Sequence, residues 1–168
     1  MITIHGNNYA NAIYGTNYTF SQNVTIYGYN GNDSLFGTSL NDYLWGDGGN
    51  DRLEGGFGVD MVMGGDGDDI ITDAGDIDML KGGAGNDVIH AGNGLGDLVF
   101  GESGSDFLIG GVDSKEIFAG EGNDFVLGSE GASLNLGNEG DDWLEGGMGF
   151  DTLAGENSEL FFNSPIIG

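Results

Sequence analysis

A period of nine residues runs through this chain and constrains its fold more than any other feature. From residue 28 the units read GYNGNDSLF, GTSLNDYLW, GDGGNDRLE, GGFGVDMVM, GGDGDDIIT, DAGDIDMLK and GGAGNDVIH. AGNGLGDLVF follows with one extra residue. Then come GESGSDFLI, GGVDSKEIF, AGEGNDFVL, GSEGASLNL, GNEGDDWLE, GGMGFDTLA and GENSELFFN, ending at residue 163. Upstream, GNNYANAIY (6–14) keeps the period and 15–27 form a longer unit. A unit this short cannot bury its own apolar residue, so repetition implies stacking of each unit on its neighbours.

Position 8 of each unit is apolar from Ile13 to Leu153 and again at Phe162, with Asn135 the exception. Positions 7 to 9 are too few for a helix and suit a short strand, with position 8 inward and its two neighbours outward. The first six positions, rich in Gly, Asn and Asp, suit a turn that visits positive φ. Two units then make one coil of 18 residues. The expected fold is all-β: a right-handed parallel β-roll, a two-sheet β-solenoid, with coils stacked at ~4.8 Å into a rod roughly 40 Å long. The sole proline, Pro165, lies outside the repeats, where it removes no donor from a ladder. Residues 1–27 are expected to form capping coils, 28–163 the roll and 164–168 a terminal tail.

Glycines, an aspartate and an aliphatic residue recur together in the pattern G-G-x-G-x-D-x-U-x. Over residues 28–154 this resembles the RTX (repeats-in-toxin, hemolysin-type calcium-binding) nonapeptide family. The resemblance implies several calcium ions as cofactors, a chain unfolded in low calcium, and a secreted, extracellular protein exported by the type I machinery of a Gram-negative bacterium. The ending ELFFNSPIIG does not look like a terminal secretion signal, and a last coil with Leu160 and Phe162 uncovered needs a partner. The chain is therefore expected to be a segment of a longer protein.

Calcium takes six to eight oxygens from carboxylates and carbonyls, and a Gly-rich turn with an aspartate at position 6 offers both. Aspartates that meet across a site are two units apart, which sorts them into two ladders. The first is Asp33, Asp51, Asp69, Asp87, Asp106, Asp124 and Asp142, followed by Leu160; the second is Asp42, Asp60, Asp78 and Asp97, then Lys115, Ser133 and Asp151. One ion between neighbouring aspartates gives six on the first edge and three on the second. Nine divalent ions would bring the formal charge of −25 to about −7.

Departures from the pattern carry expectations of their own. Lys115 either places an ammonium where an ion would bridge or belongs to a decayed repeat with its side chain in solvent. Ser133 and the inverted Leu134-Asn135-Leu136 suggest a register slip or bulge. Asn11 and Val24 stand where the first units should carry aspartate, so the N-terminal coils look calcium-free, with Tyr9, Tyr14, Tyr18, Phe20 and Tyr27 as packing material. Outward positions of the second face bear Tyr43, Trp45, Met61, Met63, Met79, Leu98, Phe100 and Phe118. Contiguous apolar surface of this kind marks an interface, here with another domain of the parent protein or a second copy.

The remaining classes are narrowed by what the chain lacks. With 28 acidic residues against 3 basic, no face can neutralise phosphates, which excludes nucleic acid and disfavours acidic membranes. There is no cysteine for a disulfide or thiolate site, no apolar stretch of membrane-spanning length, and no signal-peptide pattern at the start. His5 and His90 are the only histidines, and no nucleophile elbow, zinc-protease or phosphate-loop motif is present. The chain reads as a non-enzymatic calcium-binding scaffold. A carbohydrate- or cell-surface-binding module, or the non-catalytic region of a larger exoenzyme such as a peroxidase, protease or lipase, are the alternatives.

Overall fold

The computed structural model describes residues 1–18, 21–155 and, along the backbone, 160–163. Eighteen strands occur among them. The first nine are β1 (Ile2–His5), β2 (Ala12–Tyr14), β3 (Val24–Asn30), β4 (Ser34–Thr38), β5 (Tyr43–Gly48), β6 (Arg52–Gly56), β7 (Met61–Asp66), β8 (Ile70–Thr72) and β9 (Met79–Ala84). The rest are β10 (Val88–His90), β11 (Asp97–Ser103), β12 (Phe107–Gly111), β13 (Lys115–Glu121), β14 (Phe125–Ser129), β15 (Leu134–Glu139), β16 (Trp143–Glu145), β17 (Asp151–Ala154) and β18 (Leu160–Asn163). The odd-numbered strands and β18 build one ten-stranded sheet, and the even-numbered ones from β2 to β16 an eight-stranded sheet. Every pairing is parallel except the last, and Tyr43 opposite Met61 opposite Met79 illustrates the 18-residue step.

The chain is thus the two-sheet solenoid that the period implies. Position 8 supplies the interior: Leu35, Leu44, Leu53, Val62, Ile71, Leu80, Ile89, Val99, Leu108, Ile117 and Val126 are all fully buried between the sheets. Burying a Leu, Ile or Val contributes about 1.5–3 kcal/mol each, so the thin column supplies cohesion at every coil. Turns need positive φ at positions 2 and 4 of the unit, as at Gly65 (φ 120°) and Gly67 (φ 130°). Non-glycine residues are strained there, and the chain still places Tyr29 (φ 75°) and Glu102 (φ 79°) at position 2. On the ten-stranded side, pairing continues through the start of the next unit, with Asp47 opposite Gly65 and Gly48 opposite Asp66. Strands there are accordingly longer than three residues.

Three sequence expectations need correction. The last unit does not add a coil: β18 turns back and pairs antiparallel with β17, so Phe161 rather than Phe162 lies opposite Leu153. Leu160 replaces the aspartate that ties a coil to its predecessor, and without that tie the segment pairs with the nearest free edge. There is no slip at Asn135, which lies opposite Ile117 and Leu153 in unbroken register. Backbone ladder bonds hold it, and the Ser133 N–H keeps its bond to Asp151 Oδ1 at 2.9 Å. Asn135 instead enters the apolar column fully buried, its Nδ2 donating to Glu145 O at 3.3 Å. Finally, the N-terminal end is packed by Ile4, Ile13, Val24 and Ile26, while Tyr9 and Tyr18 are exposed. Tyr14 and Tyr27 stack outside on Phe36 and Trp45 at 4.6 and 4.9 Å. A phenol ring does not fit a column built one aliphatic side chain per turn. Phe20 and the tail 164–168 lie outside the described residues.

Candidate metal-binding edges

The turns stack into two edges, and each edge gathers the position-6 aspartates in a column. One oxygen of each carboxylate reaches back to the preceding coil. On the first edge, backbone N–H groups of Asp33, Asp51, Asp69, Asp87, Asp106 and Asp124 donate to Oδ1 of the next aspartate in the ladder at 2.7–3.0 Å. On the second edge, Val24, Asp42, Asp60 and Asp78 donate likewise to Asp42, Asp60, Asp78 and Asp97 at 2.6–3.1 Å. The Asn11 N–H donates to Asp33 at 2.6 Å, so the ladders begin in the N-terminal coils although these lack the carboxylate.

The second oxygen behaves differently. Oδ2 of Asp33, Asp51, Asp60, Asp69, Asp78, Asp87, Asp106, Asp124, Asp142 and Asp151 is buried and receives no hydrogen bond. What it faces explains the glycine that opens most units. A Cβ built on Gly28, Gly46, Gly64, Gly82 or Gly101 would lie within 3 Å of that unit's aspartate Oδ2 and of a carbonyl oxygen in the next coil. At each of these five glycines the first edge therefore leaves a small space lined by a carbonyl and by a carboxylate oxygen that receives no hydrogen bond. Hard oxygens around a donor-free cradle fit calcium, and a buried carboxylate oxygen is costly without such a partner. Aspartates of both ladders would hold the ions together with the carbonyls. The ion would supply the positive charge that lets stacked carboxylates stay ionised.

Without a cation the carboxyls resist ionisation. Burial, chiefly, pushes Asp60, Asp69 and Asp106 up to about 7 and Asp51, Asp78 and Asp87 to about 6, while the donated N–H pulls down and neighbouring aspartates push up. Asp33, Asp124 and Asp151 are raised for the same first reason.

Four places on the second edge differ. Both oxygens of Asp42 are satisfied within the protein, because Thr38 donates its N–H at 2.6 Å and its hydroxyl at 2.8 Å to Oδ2. Lys115 is buried rather than solvated. Its Nζ lies 3.0 Å from Asp97 Oδ2, donates to Val112 O at 2.7 Å and also meets Gly94 O. Ser133 closes its turn with a 2.6 Å hydroxyl pair to Ser129. Asp73, at a position where most units carry glycine, gathers with Asp60 and Asp78. Sequence reasoning missed this residue, although an aspartate at a glycine position was a visible signal.

Paired edges of inward carboxylates and facing carbonyls define a metal-binding parallel β-roll. A family model described as the RTX calcium-binding nonapeptide repeat (4 copies) matches residues 21–44, 27–62, 36–71, 73–95, 96–114, 100–134 and 136–158. The chain belongs to that family. No curated protein and no solved structure matches it.

Proposed function

We propose that the chain is a calcium-driven folding module of a secreted protein, a scaffold whose coils close as ions enter the two edges. The observation that carries this reading is the run of buried, donor-free Oδ2 atoms along both edges. A formal charge of −25 opposes compaction, and binding of divalent ions to the folded form alone would offset it, so metal affinity becomes folding stability. Low cytosolic and high extracellular calcium would keep such a chain unfolded until export, in keeping with type I secretion from a Gram-negative cell. We read residues 1–27 as a calcium-free end, since Asn11 and Val24 contribute N–H groups but no carboxylate. The roll is read as non-catalytic because its buried carboxylates, Asp73 apart, belong to the ladders and His5 stacks on Tyr27 and bonds the Tyr29 hydroxyl at 2.8 Å. Half-buried apolar side chains on the ten-stranded sheet support a docking face for another domain or a second copy.

Circular dichroism during a calcium titration, with magnesium as control, tests the reading. Calcium should bring in the β signal and magnesium should not. A chelated sample that kept its full β signal and melting temperature would overturn it.

A further inference from the structure

Asp73 puts a side chain where the other coils have least room for one. Its backbone keeps the pattern, the N–H donating to His90 O at 3.1 Å. Its Oδ1 is tied down by the N–H groups of Ala74 at 2.7 Å and Gly56 at 3.0 Å. This turns Oδ2 into the cradle at Gly55, beside Asp60 Oδ2, where other cradles offer a carbonyl from the next coil. One oxygen from each of Asp60, Asp73 and Asp78 lies within 4.8 Å of the others. The three residues are 3%, 5% and 1% exposed, and no hydrogen bond reaches the Oδ2 of any of them.

Three buried carboxylates converging without a donor call for a cation. No basic side chain pairs with the three: Arg52 lies with Glu54, Lys81 with Glu102 and Lys115 with Asp97, from where its charge reaches Asp78 only as the smallest influence on it. The geometry points to Asp73 as a third carboxylate ligand of the ion between Asp60 and Asp78, making this one site that takes a calcium-class ion and prefers a trivalent ion of similar size. Affinity of such sites follows ligand charge, and a third carboxylate in place of a neutral carbonyl rewards higher ion charge most. The assignment rests on the calcium-binding reading above and gives one of its sites a charge preference of its own.

Terbium titrated into the calcium-saturated full chain, already folded by its β signal, tests the site. One terbium per chain should displace calcium at least tenfold more tightly than any later one. D73N, which keeps the shape, and D73G, which restores the common residue, should both lose that first class and keep the later ones. Absence of a separate first class in the unaltered chain, or its survival in a variant with full β signal, overturns the site while leaving calcium-driven folding standing. A chain showing no calcium-dependent β signal would instead sink the broader reading, and this site with it.

Discussion

Lys115 shows how much one side chain alters an edge. Its ammonium lies against Asp97 Oδ2, a fixed cation joined to the chain. Replacing it by methionine leaves a buried carboxylate unpaired, which should cost about 3–5 kcal/mol and lower the melting temperature of the calcium-saturated roll. K115D should raise by one the ions retained in native mass spectrometry. An unchanged melting temperature for K115M and an unchanged ion count for K115D would deny the ammonium this role. The sequence left Lys115 open between solvent and site, because a four-carbon stem can place its charge either way and only the packing decides. Asp73 stood out at a glycine position, but its partner Asp60 lies off the two-unit spacing that pairs the ladder aspartates, so their meeting was invisible. Thr38 closing Asp42 was equally invisible, since threonine at a turn ordinarily implies no more than a local hydrogen bond.

At the scale of strands and sheets, far more was legible. Alternation about position 8 gave both sheets and the register of the coils up to β17 except at Asn135, where the slip it suggested does not occur, because a one-residue slip would expose the whole apolar column. It failed at β18, where the repeat had already lost its aspartate. The outward faces are more even than the sequence suggested. On the ten-stranded sheet, Phe100 and Phe118 stack at 5.0 Å and Tyr43 and Trp45 at 6.0 Å, so neighbouring rings cover one another. The eight-stranded sheet exposes more, with Ile70, Val88, Phe107 and Trp143 all open to solvent. Serine at Trp45, Met63 and Phe100 should reduce self-association or docking, read as a smaller size in light scattering. An unchanged size and unchanged stability would remove the ten-stranded face from consideration as an interface.

For the molecule as a whole, the raised carboxyls set the pH response of the metal-free form. Their ordinary value is near 3.9, and in the fold those of Asp60, Asp69, Asp73 and Asp106 reach about 7 to about 8. Between these values the folded chain binds more protons than the unfolded one, so stability falls as pH rises. The contribution is fully present below about pH 4 and is lost as the carboxyls ionise. In chelator, acidification from neutrality toward pH 4 should therefore increase the β signal; a signal that stayed flat or fell would contradict this. With calcium present the trend should reverse, since protons compete with the ion for the same oxygens.

The ladders are built so that an aspartate such as Asp51 grips the winding before it with one oxygen and turns its other oxygen toward the cradle shared with the winding after it. No rung belongs to a single turn. A fault at any rung is felt by the pair on either side, and the edge behaves as a zip fastener whose teeth hold only in company.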